Sequence, residues 1–430
     1  MSVVRSTTGM APDPRLPQRD LLLDEREVAR RLSASLGLKG QLTVSACERV
    51  RTKYRVGDSL RVLHRVRVEG RDYTVTARAF AAGCSRRAYE RAARSTVGCA
   101  PLRAVLHDPE LETVFWTFPN DRRLNGLGAL REIPPSLARL FSPEWTHSRI
   151  VAYAPEKCAT AQCLDARSRV VAYAKVYAGE EGRRVYQTYR ALARQSESVP
   201  SALTLPRALA YADGQRTLLL EPVVGPRIAD LEPEEQPRGY FRLGAALAAL
   251  HSLRVPEGPP AFERLSPGRV RHAALVIGAV RPDVRRNASR LGEELTQLYE
   301  QSGEANVCLH GDVHPKNCIA RGDTLTLIDL DQCGAGDPAA DIGSLLASLT
   351  YADITSAAAQ PSARKLGEAF LSGYASVRAL PSPRSIRWHT AAAMLAERAL
   401  RAVNRVRPEG LARLRELLAA VSDILKEGAS

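Results

Sequence analysis

The stretch Cys308-Leu309-His310-Gly311-Asp312-Val313-His314-Pro315-Lys316-Asn317-Cys318-Ile319-Ala320 decides the reading of this chain, together with Arg321-Gly322-Asp323 and Thr324-Leu325-Thr326-Leu327-Ile328-Asp329-Leu330-Asp331. Short apolar runs flank a polar loop, and Arg-Gly-Asp supplies turn chemistry. Residues 318–320 and 324–328 are therefore expected to pair as a hairpin. A hairpin returns the chain to its start, so Asp329 comes back beside Asn317, and Asp312 joins them. Two carboxylates and an amide oxygen suit a hard cation that keeps several waters, namely Mg²⁺ bridging the phosphates of a nucleotide. Phosphoryl transfer needs such a metal, a residue that orients the acceptor hydroxyl and a cation near the phosphates. Asp312 has the loop position for the hydroxyl, and Asn317 and Asp329 suit the metal. Lys175, the single lysine on a strand rich in Val and Tyr, suits the phosphates. The competing reading is ordinary turn capping by Asp and Asn, and the joint spacing of the three residues weighs against it.

Around this stretch the composition is that of a folded protein. In 430 residues, 45% are hydrophobic and 25% charged, which excludes wholesale disorder and predicts two or three packing units. Sixty-one basic against 47 acidic residues give a net charge of +14. The charge is scattered, aromatics are not interleaved with Arg, and no nucleic-acid partner is expected. Only Lys39, Lys53, Lys157, Lys175, Lys316, Lys365 and Lys426 are lysines, which makes each worth asking about. No apolar run is long enough to span a membrane, and none is expected to act as a partner. The first 20 residues lack a signal-peptide core and read as a disordered leader. Eight cysteines without CxxC pairing read as reduced thiols of a cytoplasmic protein.

The chain also repeats itself. Thr74-Val75-Thr76-Ala77-Arg78-Ala79-Phe80-Ala81 aligns on Val171-Ala172-Tyr173-Ala174-Lys175-Val176-Tyr177-Ala178, and Arg86–Tyr89 on Arg183–Tyr186. Upstream, Tyr54–Asp58 falls on Val151–Pro155 at the same offset. Each copy reads as strands, a helix, then two more strands. The expected boundaries are a leader over 1–39, a first sheet module over 40–130, a connector over 131–146, a second sheet module over 147–228 and a helical lobe over 229–430. In that lobe Leu243, Leu247 and Leu250 form a core-facing stripe. The architecture is α+β: two sheet-bearing units, then one large helical lobe.

His310-Gly311-Asp312-Val313-His314-Pro315-Lys316-Asn317 followed by Ile328-Asp329-Leu330-Asp331 resembles the signature of the aminoglycoside phosphotransferase and choline kinase family. The resemblance implies a bilobal protein-kinase-like fold, here with a duplicated N-lobe-like sheet module before the helical C-lobe. It implies a catalytic Asp312, metal ligands Asn317 and Asp329, and a structural His310. Gly336-Asp337-Pro338-Ala339-Ala340-Asp341-Ile342-Gly343 resembles the segment in which the second aspartate opens a helix and steadies the catalytic loop. Leu219-Leu220-Glu221-Pro222-Val223 resembles the hinge that binds adenine, and Tyr173–Tyr177 the strand bearing the phosphate lysine. The layout is also similar to that of maltokinases, in which a cap precedes the kinase lobes.

A GxGxxG kinase loop, DFG and APE are missing, which argues against a protein substrate. The helix after Lys175 lacks the glutamate that the family uses to hold the lysine; Gln187, Glu180 and Glu181 are the candidate substitutes. Asp331 reads as a second metal contact or a solvated residue, and His314 as loop packing, because one aspartate already fills the base role. The expectation is an ATP- and Mg²⁺-dependent phosphotransferase acting on a hydroxyl of a sugar, sugar derivative or similar metabolite. The alternatives are an antibiotic-inactivating phosphotransferase and a nucleotide-binding pseudokinase. In the first copy Arg78 replaces the lysine, which implies a structural or capping module.

Overall fold

The computed structural model describes residues 9–38, 40, 42–134, 137, 145–196, 203–256, 265–299, 306–321, 324–356 and 361–427. The chain divides into two compact units. One holds residues 1–180, 212–217 and 403–408, and the other residues 181–211, 218–402 and 409–430.

Residues 1–8 of the expected leader lie outside the described residues, and residues 9–38 carry two helices and buried apolar side chains. Helices α1 (Arg19–Leu23) and α2 (Glu25–Ser35) follow each other, with Asp24 capping α2 by accepting from the Arg26 N–H. Met10, Leu16 and Leu22 are buried. The Asp13 carboxylate accepts the Tyr54 hydroxyl at 2.6 Å and the Gly57 N–H at 2.8 Å. Those apolar residues have no helical or strand period, so pattern reading misses them.

The first sheet consists of β1 (Val44–Arg55), β2 (Ser59–Val68), β3 (Arg71–Ala79), β4 (Val105–Asp108) and β5 (Thr113–Thr117). Its strand order is β1-β2-β3-β5-β4, antiparallel throughout. Helix α3 (Ser85–Ala93) follows β3. Val75, Ala77 and Ala79 are buried in β3 at period 2, and Thr76 between them is buried as well. Tyr89 of α3 stacks on His107, at 5.3 Å between ring centres.

The second sheet repeats this plan with β6 (His147–Ala154), β7 (Cys158–Leu164), β8 (Val170–Tyr177), helix α4 (Glu181–Ser196), then β9 (Leu203–Thr204), β10 (Ala208–Ala212) and β11 (Thr217–Leu220). Its order is β6-β7-β8-β11-β10, the same path with β9 left out of the sheet. The match extends to single bonds. Phe80 N–H donates to the Glu112 carbonyl at 2.9 Å, and Tyr177 N–H, 97 residues on, donates to the Arg216 carbonyl at 3.0 Å. Both acceptors turn the chain at positive φ, 43° and 48°. Upstream, the alignment of Tyr54–Asp58 shifts by two residues. The β1–β2 hairpin closes at Arg55–Ser59 and the β6–β7 hairpin at Ala154–Cys158, so Tyr54 corresponds to Tyr153. Gly57 and Glu156 take the equivalent left-handed turn position, at φ 69° and 60°.

The second unit is mainly helical. Helices α5 (Gln236–His251), α6 (Pro267–Val280) and α7 (Arg285–Gln297) precede β12 (Val307–Leu309), the hairpin β13 (Cys318–Arg321) and β14 (Thr324–Leu327), and β15 (Gly334–Gly336). Helices α8 (Pro338–Thr355), α9 (Ala363–Ala375) and α10 (Pro383–Ala393) follow, with further helix reaching Lys426. Leu243, Leu247 and Leu250 are fully buried on one face of α5. Each such leucine contributes about 1.5–3 kcal/mol by area burial. Gly244, between them, lets α5 lie against α9: a Cβ there would stand 2.0 Å from the Phe370 carbonyl oxygen.

Candidate active site

Strand β12 pairs antiparallel with β15 and delivers the chain into the loop that begins at His310. Gly311 takes φ 79°, and a Cβ there would stand 2.1 Å from the Gln332 carbonyl oxygen, so no other residue fits this turn. The loop is held from behind by Asp341, whose side chain is buried. Its carboxylate accepts the His310 N–H at 2.7 Å and the Gly311 N–H at 3.0 Å. His251 lies 3.3 Å from the same carboxylate through Nε2, and its Nδ1 lies 2.9 Å from the Tyr374 hydroxyl. Asp341 therefore does not cap α8. Asp337 does, accepting the Ala339 N–H at 2.8 Å, with Pro338 in the first helical position.

His310 is fully buried. Its Nε2 meets the Ile328 carbonyl at 3.0 Å, and its Nδ1 accepts the Asp312 N–H at 3.2 Å. That pair of partners specifies a neutral ring with the proton on Nε2. His310 thus links the loop to the far strand of the β13–β14 hairpin, which pairs Cys318 with Leu327 through Arg321 with Thr324. Gly322 and Asp323 of the anticipated turn lie outside the described residues.

The hairpin brings its two ends together. Ile328 N–H donates to the Asn317 carbonyl at 2.9 Å, and the Asn317 side-chain amide donates to the Asp312 carbonyl at 3.1 Å. Asp329 follows in the left-handed conformation at φ 67°. The Tyr189 hydroxyl of α4 accepts its N–H at 3.0 Å and that of Leu330 at 3.3 Å. Asp312 and Asn317 are bonded directly, and Asp329 adjoins them through the neighbouring Ile328; Asp312 and Asp329 are half-buried. Because the Asn317 nitrogen is committed to Asp312, its Oδ1 is the atom that can face a cation. That oxygen and the Asp329 carboxylate fit Mg²⁺, which binds through one or two protein oxygens and completes its shell with water and phosphate. Among the described residues, no group of three or more His, Cys, Asp or Glu is arranged to hold a metal.

Neighbouring groups have structural environments. Burial, assisted by Arg398, lowers His314 to about 4, and its Nδ1 accepts the Lys316 N–H at 3.3 Å. The Cys308 and Cys333 sulfurs lie 3.7 Å apart, and that contact together with burial raises the Cys308 thiol far above its usual range. Arg184 of α4 donates to the Asp331 carbonyl at 2.8 Å. Sequence reading misses Tyr189, Tyr374 and Arg184. The only signal for Tyr189 is its place on the apolar face of a helix, where it reads as core.

The remaining predicted residues lie elsewhere. In the second unit Glu221 follows β11, and its carboxylate takes the Arg207 N–H and Nε at 2.8 Å each. Its own N–H donates to the Arg207 carbonyl at 3.0 Å. Val223, two residues on, is half-buried. In the first unit Lys175 sits on β8 in register with Thr160, its Nζ 5.5 Å from the Tyr177 ring centre. Of the substitutes for the missing helix glutamate, Glu180 pairs with Arg216 at 3.1 Å, and Glu181 and Gln187 are exposed.

A family model described as the phosphotransferase enzyme family matches residues 166–380. The match contains every site residue named above and leaves the first sheet outside it. No curated protein sequence matches the chain. Among solved structures, a choline/ethanolamine kinase family protein from Mesorhizobium loti is 15% identical, with a TM-score of 0.47, covering 70% of this chain and 98% of its own. A choline kinase from Cryptosporidium parvum is 14% identical at a TM-score of 0.47, covering 70% and 96%. APH(2″)-IIa, in a ternary complex with streptomycin and ATP, is 16% identical at a TM-score of 0.45, covering 68% and 97%.

Proposed function

This chain belongs to the phosphotransferase enzyme family, and on that premise we propose that it transfers a phosphoryl group from ATP, with Mg²⁺, to a hydroxyl of a sugar, sugar derivative or similar metabolite. The observation that carries the reading is the loop in which Asn317 bonds Asp312 and Ile328, the residue before Asp329, bonds Asn317, all of it locked by His310 and Asp341. Such a lock fixes a loop before substrate arrives, which is what positioning catalysis requires.

In this reading the Asp312 carboxylate accepts the acceptor hydroxyl's hydrogen bond, aims the oxygen at phosphorus and takes its proton during transfer. Asn317 Oδ1 and the Asp329 carboxylate are the groups that would hold Mg²⁺, which when bound would supply charge neutralisation at the phosphate oxygens. Lys175 supplies an ammonium to the nucleotide phosphates. The backbone around Glu221–Val223 receives adenine, with the Glu221 side chain kept aside by Arg207. His310 and Asp341 position the loop without touching substrate.

The net charge of +14 disfavours a polycationic aminoglycoside acceptor, because such ligands prefer an acidic cleft. A screen of sugars, amino sugars, aminoglycosides and choline-like alcohols with radiolabelled ATP identifies the acceptor. In the mechanistic test, Asp312→Asn lowers phosphoryl transfer by about 10²–10⁴-fold with ATP affinity nearly intact. Full activity in that variant removes Asp312 from the mechanism. One observation favours a pseudokinase as the second reading: Glu181, the only carboxylate on α4, is exposed. Mg²⁺-dependent ATP binding without transfer to any acceptor would decide for it.

A further inference from the structure

Two of the seven lysines, Lys53 and Lys157, have no part in the proposed chemistry, yet they line one cavity in the first unit. Lys53 on β1 stands opposite Arg61 on β2, and Arg51 shares its face of β1. Lys157 comes from the β6–β7 turn, and Arg405 from the 403–408 segment of the same unit. Five cationic side chains thus surround the cavity, and no acidic residue lines it.

The carboxylate beside Arg61 is already engaged. Glu156 binds Arg78 at 2.9 Å and Arg122 at 2.7 Å, and stands 3.8 Å from Arg61. Arg61 donates to the Pro155 carbonyl, while its Nε is buried without a hydrogen-bond partner. A buried guanidinium N–H left in that state points to an absent acceptor. Lys53 is held down to about 8, by burial first and then by Arg61, Arg55, Arg405 and Lys157. The four charges that act on it most strongly are positive. A doubly charged oxyanion is the group that relieves such a cluster, because it offers acceptors to guanidinium and ammonium donors together.

The cavity volume is about 30 Å³. One water needs about 10–15 Å³ on this scale, so a single phosphoryl group fits and a whole nucleotide does not.

We propose that this pocket, between the β1–β2 hairpin, the β6–β7 turn and Arg405, is a phosphate-binding site separate from the ATP site. Its ligand is a single phosphoryl group, carried either by inorganic phosphate or by a phosphorylated small molecule. Only its separateness from the ATP site rests on the functional reading above; the phosphate-binding arms of the test measure binding alone and need neither ATP nor turnover.

The test uses the full chain in isothermal titration calorimetry and thermal unfolding, with phosphate against potassium chloride of matched ionic strength. The expected result is saturable phosphate binding that raises the unfolding temperature and persists when ATP is saturating. The Lys53→Gln/Lys157→Gln double variant should bind phosphate at least tenfold more weakly. Without phosphate it should unfold at or above the wild-type temperature, because two repelling charges are gone. A lysine pair with only a structural role would instead lower that temperature and leave phosphate binding intact. A glucose 1-phosphate arm separates the sources: tighter binding than phosphate assigns a phosphorylated small molecule, and equal or weaker binding assigns the inorganic ion. Absence of saturable binding, unchanged binding in the double variant, or one-for-one displacement by ATP would overturn the proposal.

Discussion

Arg78 and Lys175 occupy the same position in two sheets built on the same plan. Each sits on the third strand of its sheet, paired with the second: Arg78 with Arg61, Lys175 with Thr160. One substitution separates a position that ties modules together from one suited to phosphate. Arg78 donates from one guanidinium nitrogen to both oxygens of Glu156, an acid from the second module's first turn that Arg61 and Arg122 also approach. Lys175 keeps a compact ammonium near the Tyr177 ring. A planar guanidinium matches a carboxylate in two places, whereas an ammonium is a point charge that phosphates share. The first module has therefore become an anchor for the β6–β7 turn, and the second carries the lysine. Duplicated topology does not duplicate function, because function lives in the site.

The sharpest way to break this comparison is to remove both side chains. Lys175→Ala should lower phosphoryl transfer by about 10²–10³-fold, the loss expected when one preorganised charge at the reacting phosphates is removed. Arg78→Ala should cost less than tenfold, and only through the turn that Glu156 occupies. Steady-state kinetics with ATP as the varied substrate measures both. Equal losses would mean that the two positions do the same work.

The repeat was legible because β3 and β8 share their alternation and run without a gap into their helices. Its upstream half was not aligned correctly, since the hairpins are offset by 99 residues and only strand register reveals that. The grouping of Asp312, Asn317 and Asp329 was legible because all three flank one short hairpin, where local chain geometry decides contact. Tyr189, which bonds the Asp329 backbone, and Tyr374, which bonds His251, were not, because each acts across a long sequence separation and looks like core in its own helix. The cationic cavity and the Glu156 hub were hidden for the same reason: residues 53, 61, 78, 122, 156, 157 and 405 meet only in the folded chain.

The same comparison predicts where stability resides. Glu156 is buried and serves three guanidiniums. Replacing it by alanine leaves Arg61 and Arg78 crowded, and removing one partner of a buried pair costs about 3–5 kcal/mol. Arg78→Ala should cost less, because Glu156 keeps Arg122. Urea unfolding of both variants checks the order. If Glu156→Ala unfolds at the wild-type urea concentration, the hub is not what joins the modules.

A smaller effect follows from pH, and its direction is fixed by the charge on Glu156. Burial opposes ionisation of this carboxyl, yet the Arg122 hydrogen bond and the charges of Arg61, Arg78 and Arg122 outweigh it, so its pKa lies below the ordinary value. A carboxyl lowered in the folded state stabilises the protein fully above its unfolded pKa, about 4.3 for glutamate. That contribution is lost as pH falls through the lower folded value. Wild type should therefore exceed Glu156→Gln in unfolding temperature by a constant margin from pH 7 to pH 5, and the margin should shrink as the pH falls below about 4. Lys175→Gln, which removes no carboxylate, should show no such closing gap against wild type. Thermal unfolding of the three proteins across this range measures it. A margin that stayed constant to pH 3, or that closed equally for Lys175→Gln, would show that Glu156 is not the ionised centre of the hub.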